Sequence, residues 1–370
     1  MGRGMGSACP FGFLLSRESS TAEGLNRFGH PMKPPIIDLE AWSPSLNDWK
    51  LKRDSFREGL RNRLGHLPML PREIHATCQR EEAHGVGVAE KIVIDNGREM
   101  GIPAWFITPR NEEHPGPAVL WLHWHGGEYG VGKQEVFEDL HTPSSPAQTF
   151  LQMGWSILCM DAFGFGERNG RDPESGGDFD QEGEHTLAKH FLWQGSSLFG
   201  QMLWEDRLAL RYLKQRPEVR GQPIFVAGVS MGATRSQWLL ALEDVLAGAV
   251  SLACAVRYRD LLAKQGLHRH GMYFYVPGMM EYCDLELILA LGAPRPHLLI
   301  NGASDPLSPR AGIDRAVGLA RTVYALHGKE ENLKSQLFDK VGHQVQEDMW
   351  NEMKRWCVSV QRPHLQPDGL

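Results

Sequence analysis

Paired cysteines, long apolar runs and clustered basic residues are all missing from this chain of 370 residues. Its six cysteines are widely dispersed and form no C-x-x-C pair, so we expect reduced thiols and no structural zinc site. No apolar run approaches the roughly 20 residues that cross a bilayer. Lys and Arg are scattered, and the formal net charge of −6 offers no basic surface for a polyanion. We therefore expect no membrane and no nucleic acid among its partners.

The N-terminal segment has an apolar patch that is too short for the core of a secretory signal. We therefore expect a cytoplasmic protein, and the sequence leaves a homo-oligomer open. The 42% hydrophobic and 23% charged residues are ordinary for a globular protein with a sizeable core.

The pattern along the chain predicts an α/β protein. Residues 1–83 lack strand alternation and contain a helical pattern between proline clusters, which indicates an N-terminal extension that packs on the core. Strand and helix patterns then alternate through residues 84–358, so we expect a mainly parallel central sheet of about eight strands with helices on both faces. Residues 359–370 are predicted to be a C-terminal tail.

Two stretches interrupt this alternation. Residues 167–196 are acidic and glycine-rich before they become aromatic, and residues 257–292 are dense in aromatic side chains and methionine. Both follow predicted strand C-termini, where open α/β sheets bind ligands, so both are candidate pocket walls. The alternatives are a disordered surface loop for the first stretch and ordinary core for the second.

A G-x-S-x-G pattern at residues 228–232 joins a predicted strand to a predicted helix. Glycines two positions to either side of Ser230 relieve the crowding of such a sharp turn. The turn exposes the serine hydroxyl as a nucleophile and directs the amide of Met231 toward a developing oxyanion. The alternative is a glycine-rich turn in which the serine only caps a helix.

A serine nucleophile needs a base and an orienting carboxylate, and both types of residue follow predicted strands downstream. Asp305 comes just after one buried strand, and His343 comes between the last strand and the last helix. The order Ser230, Asp305, His343 is the order expected for a serine nucleophile on a fold of this kind. Asp161, at an earlier strand end, is a rival acid, although its D-x-x-G-x-G context is more typical of a turn.

The third predicted strand ends in the sequence HWHGG. A backbone amide of Gly126 or Gly127 in this turn can serve the same oxyanion as Met231. The H-x-H spacing of His123 and His125 allows a metal site, but no carboxylate pattern completes it, and we favour a role for both histidines in bracing the loop.

Residues 84–358 resemble the alpha/beta-hydrolase superfamily, within it the branch of acetyl xylan esterases and dienelactone hydrolase-like enzymes. The resemblance rests on HWHGG (123–127), DAFGFGER (161–168), GVSMGATRSQWLLALED (228–244), HGMYFYVPGM (270–279), ALGAPRPHLLINGASDPLSP (290–309) and GH (342–343). It implies Ser230, Asp305 and His343 as nucleophile, acid and base, and Gly127 and Met231 as oxyanion donors. Serine in place of the cysteine of dienelactone hydrolases favours an esterase. The H-G-G turn departs from the usual oxyanion loop of the sugar-ester deacetylases.

These observations predict a serine hydrolase that cleaves a small-molecule carboxylic ester, with a small acyl or acetyl group, through an acyl-enzyme and without a cofactor. A peptidase or amidase of the prolyl-oligopeptidase-like type and a non-catalytic binding protein are the alternatives. The predicted substrate-contacting residues are Tyr273, Tyr275, Trp193 and Glu128.

Overall fold

A computed structural model of the protein describes residues 34–85, 87–98, 100–110, 116–170 and 180–361. At its centre is a nine-stranded sheet. In chain order the strands are β1 (Ala76–His84), β2 (Gly87–Ile94), β3 (Ile102–Pro109), β4 (Ala118–Leu122), β5 (Ser156–Met160), β6 (Ile224–Val229), β7 (Leu246–Leu252), β8 (His297–Gly302) and β9 (Leu333–Phe338).

The spatial order of the strands is β1-β2-β3-β5-β4-β6-β7-β8-β9. The first three strands pair antiparallel with one another, and β3 pairs antiparallel with β5. Every pair from β5 across to β9 is parallel. The carboxyl ends of six strands therefore lie along one edge of the sheet, where the loops after them can meet.

The central strands are apolar along their whole length because helices cover both faces of the sheet. In β4, Leu120 and Leu122 pack into the core on one face, and Val119 and Trp121 pack into the core on the other. Side chains alternate along a strand, so a continuous apolar run is the pattern required of a strand buried on both sides.

The structure has one strand more than the sequence pattern predicts. All of strand β1 except its last residue, His84, lies within residues 1–83, the predicted extension. It is an edge strand whose residues are mostly exposed, so its sequence, ATCQREEAH, needs no apolar alternation. Its hydrogen bonds to β2, rather than burial of its side chains, hold it in place.

The helices are α1 (Leu46–Leu64), α2 (Pro146–Gln152), α3 (Gln181–Trp193), α4 (Leu198–Gln215), α5 (Met231–Leu242), α6 (Tyr258–Ala263), α7 (Met279–Tyr282), α8 (Leu285–Leu291), α9 (Arg310–Leu326) and α10 (Glu347–Gln361). Helix α10 continues three residues into the predicted tail; residues 362–370 lie outside the described residues. None of the helices in the described ranges is long and apolar enough to cross a membrane.

Helix α1, the described helical part of the predicted extension, packs on the core. Its N-terminus carries a capping box, in which the Ser45 hydroxyl accepts from the amide of Asp48 and the Asp48 side chain accepts from the amide of Ser45. Buried Arg57 donates to the carbonyl of Ala241 at 2.7 Å and forms an ion pair with Asp244 at 2.6 Å. These contacts tie α1 to the C-terminal end of α5.

A fully buried ion pair joins α4 to α5, the helix that begins beside Ser230. Arg235 Nε donates to Asp206 Oδ2 at 2.8 Å, and the guanidinium makes a second hydrogen bond to Oδ1. Both side chains have 0% exposure. Removal of either partner would leave a buried charge without its counter-ion.

We expect Asp206→Ala to lower the free energy of unfolding by about 3–5 kcal/mol, because it leaves the buried Arg235 charge without a counter-ion. Urea denaturation measures the loss. The double variant Asp206→Leu with Arg235→Met is the control, and it should regain most of the stability because it removes both charges. A single variant as stable as the unmodified protein would contradict this account of the pair.

Candidate active site

Ser230 occupies a strained turn between β6 and α5. Its backbone has φ 55° and ψ −111°, outside the regions that non-glycine residues usually adopt. A Cβ at Gly232 would lie 1.8 Å from the carbonyl oxygen of Leu122, and a Cβ at Gly228 would lie 2.5 Å from the same oxygen. Both glycines of the pattern are therefore required by the close approach of the end of β4.

The structure brings Ser230, His343 and Asp305 into one hydrogen-bonded chain. Ser230 Oγ lies 2.8 Å from His343 Nε2, and His343 Nδ1 lies 2.8 Å from Asp305 Oδ2. Asp305 is buried, and its second oxygen accepts from the amide of Leu307 at 2.8 Å. An ionised carboxylate only accepts, so Nδ1 of His343 carries the proton and Nε2 is free to accept the hydroxyl proton of Ser230.

Asp161 lies elsewhere, in the interior of a turn after β5. It accepts from the backbone amide and the side chain of Lys133, each at 2.7 Å, and from the amide of Glu167 at 3.0 Å. Burial raises the pKa of this carboxyl, against the opposing effect of the Lys133 charge. The structure thus pairs Asp161 with Lys133 and not with His343.

The H-G-G turn follows β4 and lies beside Ser230. Gly126 and Gly127 have φ 57° and 79°, which favour glycine at both positions. The amide of Gly127 donates to His125 Nδ1 at 3.0 Å, and the amide of Glu128 donates to the His125 carbonyl at 3.0 Å. Of these three amides, that of Gly126 alone has no acceptor among the described residues.

The two histidines of the H-x-H pattern have separate partners. His123 Nδ1 donates to the carbonyl of Trp124 at 2.7 Å, while Nε2 accepts from the amide of Ala162 at 3.0 Å. Burial lowers the pKa of His123 to about 3, so the ring is neutral. His125 Nε2 instead lies 2.8 Å from Glu184. The described residues contain no cluster of three or more His, Cys, Asp or Glu side chains arranged to hold a metal ion.

Two cavities meet at Ser230, His343 and Gly126, which line both. The first cavity has a volume of about 670 Å³ and is bordered by residues 139–143 and 344–347. The second has a volume of about 530 Å³ and is bordered by the start of α3 and by residues 268–271. The hydroxyl of Ser230 therefore has open space on two sides, as an enzyme needs for the two halves of a substrate.

Comparison with known proteins agrees with this architecture. Residues 90–362 match the Abhydrolase family. "Putative hydrolase YtaP" of Bacillus subtilis strain 168 is 35% identical over 276 residues, which cover 74% of this chain and 88% of the relative. The chain belongs to the Abhydrolase family.

Solved structures show the same fold at low sequence identity. A "putative acetyl xylan esterase" of Bacteroides fragilis NCTC 9343 aligns with a TM-score of 0.66 and 19% identity over 82% of this chain and 79% of that chain. A glucuronoyl esterase of Solibacter usitatus aligns with a TM-score of 0.61 and 14% identity over 93% and 98% of the two chains. The predicted α/β-hydrolase fold is confirmed.

Within this family fold, only one of the four predicted substrate-contacting residues lines the cavities at Ser230. Tyr273 borders the second cavity, with its ring centre 5.4 Å from that of His125. Tyr275 donates its hydroxyl to the carbonyl of Leu267 and lines a separate apolar cavity of about 340 Å³. This corrects the assignment of Tyr275 to the substrate pocket.

Trp193 and Glu128 also lie outside both cavity linings. Trp193 is the last residue of α3 and is 95% exposed, because α3 directs Ala188 and Phe191 toward the core and Trp193 away from it. The assignment of Trp193 to a pocket wall is therefore wrong. Glu128 is exposed and contacts His141, a residue of the first cavity, at 3.4 Å.

The sequence pattern missed the importance of helix α3. Its N-terminus is capped by Asp180, which accepts from the amides of Glu182 and Gly183. The helix presents Gln181 and Glu184 to the second cavity. The sequence does contain a signal for the start of this helix: an Asp at residue 180, a typical N-cap residue, is followed by Glu residues in the first turn. Residues 171–179 of the same predicted insertion lie outside the described residues.

The contact between Gly232 and the end of β4 can be tested. We expect Gly232→Ala to lower the free energy of unfolding by about 1–3 kcal/mol, because the new Cβ collides with a backbone carbonyl. Thermal unfolding measures the change. Gly318→Ala in α9 is the matched control: apart from the backbone of its own helix, no atom would lie within 4 Å of its Cβ, so the variant should gain about 0.4–1 kcal/mol. Equal melting temperatures for both variants would contradict the proposed crowding.

Proposed function

We propose that the protein hydrolyses carboxylic esters through a covalent acyl-enzyme. The observation that carries this proposal is the chain of hydrogen bonds from Ser230 through His343 to buried Asp305, at 2.8 Å for each link. It opens onto two cavities, so the nucleophile is accessible. Nucleophile, base and orienting acid in this geometry activate a serine for acyl transfer.

In the first half-reaction, Ser230 Oγ attacks the ester carbonyl while His343 Nε2 takes its proton. The amides of Met231 and Gly126 stabilise the tetrahedral oxyanion, since Met231 begins α5 and the Gly126 amide has no other acceptor among the described residues. His343 then returns the proton to the departing alkoxide, which leaves as the alcohol. In the second half, His343 deprotonates a water molecule that attacks the acyl-enzyme, and the acid is released.

The proposed substrate is an ester with a short acyl group. Two observations support this choice. Structures with the same fold include proteins described as acetyl xylan esterases. The cavities around Ser230 are bordered by hydrogen-bonding side chains, including Thr142, Gln344, Gln181 and Arg269. A long acyl chain would cover such groups without satisfying them.

The contacts of Glu184 argue against the peptidase alternative. A peptidase of this type needs free carboxylates for the substrate amino terminus, and the sequence EGE at residues 182–184 is the candidate. Glu184 already accepts hydrogen bonds from His125, Tyr129 and the amide of Tyr273. It is therefore not available as one member of a carboxylate pair.

The serine mechanism predicts that Ser230→Ala lowers kcat for p-nitrophenyl acetate by on the order of 10⁴-fold or more, because no acyl-enzyme can form. Initial-rate kinetics measure the loss, and labelling by a fluorophosphonate probe should disappear in the same variant. A variant that retains turnover, or an unmodified protein that the probe does not label, would refute the mechanism.

Two aspartate variants form the control for this prediction. Asp305→Asn should lower kcat by roughly 10⁴-fold, because the amide supports the wrong tautomer of His343. Asp161→Asn should lower the melting temperature, because it weakens the partner of buried Lys133, and should change kcat by less than about tenfold. The reverse order of the two kcat values would identify Asp161 as the acid.

The proposed acyl preference predicts that kcat/KM for p-nitrophenyl acetate exceeds that for the octanoate by about tenfold or more. A series of esters from two to twelve acyl carbons, together with acetylated xylan and acetylated monosaccharides, measures the preference. An aminoacyl anilide in the same assay represents the peptidase alternative. A maximum at eight or more carbons would contradict the short-acyl proposal.

A further inference from the structure

Glu184 is a buried carboxylate at the meeting point of three separate segments. Its side chain is 2% exposed. One oxygen accepts from His125 Nε2 at 2.8 Å and from the hydroxyl of Tyr129 at 2.6 Å. The other accepts from the backbone amide of Tyr273 at 2.8 Å. The Glu184 side chain, on helix α3, thus contacts both the turn after β4 and the segment after α6.

These partners require a carboxylate at this position. Burial raises the pKa of Glu184, but the hydrogen bonds it accepts outweigh that effect and hold the pKa below its usual value. Three donors approach two oxygens, and an ionised carboxylate can accept from all of them. A glutamine could not, because its amide nitrogen only donates and would meet a donor on one side or the other.

The contact with Glu184 determines which nitrogen of His125 carries a proton. The amide of Gly127 can only donate, so His125 Nδ1, at 3.0 Å from it, must be the unprotonated acceptor. The proton then resides on Nε2, which donates to Glu184. A carboxylate is the partner that favours this tautomer, since it cannot donate a hydrogen bond to Nε2.

The surrounding backbone leaves little room for another arrangement. A Cβ at Gly271 would lie 2.7 Å from Glu184 Oε1 and 2.9 Å from His125 Nε2. The rings of Tyr129 and Phe165 pack against the His125 ring, with centres at 4.9 and 5.2 Å. The imidazole is therefore packed against aromatic rings in near-perpendicular contacts and held at both nitrogens by hydrogen bonds.

We propose that Glu184 and His125 are positioning residues for the oxyanion hole. Glu184 fixes the Nε2–H tautomer of His125, His125 Nδ1 holds the amide of Gly127, and the turn so fixed directs the free amide of Gly126 toward the oxyanion beside Ser230. This proposal rests on the proposed ester hydrolysis. In this proposal, His125 in the turn after β4 and Glu184 on α3 act by holding the turn, and neither side chain acts on the reacting atoms directly.

A matched pair of variants separates this role from simple packing. Asn places an amide oxygen near the position of Nδ1, and Gln extends to the position of Nε2. We expect His125→Gln to lower kcat for p-nitrophenyl acetate by about 10- to 100-fold with little change in KM, because oxyanion contacts form only in the transition state. His125→Asn keeps an acceptor for the Gly127 amide, so its kcat should stay at least about fivefold above that of His125→Gln. Equal kcat losses in both variants would overturn the proposal.

A double-mutant cycle tests the link between the two residues. Glu184→Gln should lower kcat by about tenfold in the unmodified protein and by less than about twofold in the His125→Asn variant, whose side chain has no tautomer to fix. Additive kcat losses in the cycle would show that Glu184 acts independently of His125 and would overturn the proposed link. Melting temperatures of all variants measure the structural contribution of each side chain separately.

A spectroscopic measurement keeps this proposal distinct from the proposed function. Long-range ¹H–¹⁵N correlation of the histidine rings should show His125 protonated at Nε2 only, and Glu184→Gln should shift it toward Nδ1 protonation. A protein without esterase activity that shows this tautomer would refute the ester hydrolysis and leave the pairing intact. A His125 protonated at Nδ1 would refute the positioning role, whatever the activity.

Discussion

The close approach of strand β4 to the turn at Ser230 is the contact on which the rest of the site depends. The carbonyl of Leu122, the last residue of β4, lies where a side chain at Gly232 or Gly228 would be. The next residues in the chain form the turn that contains Gly126. Because one contact fixes both segments, the nucleophile and the proposed oxyanion amide cannot move apart without a change in the packing of α5 against the sheet. The buried pair of Arg235 and Asp206 ties α5 to α4.

This geometry explains why the three residues of the hydrogen-bonded chain could be predicted from sequence. Ser230, Asp305 and His343 each follow a strand of the parallel part of the sheet, and carboxyl ends of parallel strands share one edge. Buried apolar strands precede Ser230 and Asp305, whereas His343 follows β9, which is mostly half-buried, and is identified by its place between the last strand and the last helix. The two glycines around Ser230 indicate this crowding in the sequence itself, since only glycine leaves room for the carbonyl oxygen of Leu122.

The residues that sequence reasoning misplaced depend on orientation, which composition does not encode. Strand β1 is mostly exposed and polar, so its place in the sheet comes from backbone pairing alone. Tyr275 and Trp193 lie in segments close to the site, but one bonds to the carbonyl of Leu267 and the other is directed into solvent by the phase of α3. The role of Glu184 is not visible in the sequence, because its hydrogen-bond partners come from segments 55 to 89 residues away along the chain.

The two histidines after β4 show how the end of a strand changes the chemistry that a pattern suggests. In a continuing strand, His123 and His125 would lie on one face, as a metal site requires. The strand ends at Leu122 and the chain then turns, so the two histidine rings form hydrogen bonds with different partners. His123 donates through Nδ1 and accepts through Nε2 inside the core, whereas His125 accepts through Nδ1 and donates through Nε2 at the cavity. All four ring nitrogens of His123 and His125 are therefore engaged in hydrogen bonds, and none is left to bind a shared metal ion. His123 instead holds the backbone at the end of β4 and after β5, and His125 holds the backbone of the turn beside Ser230.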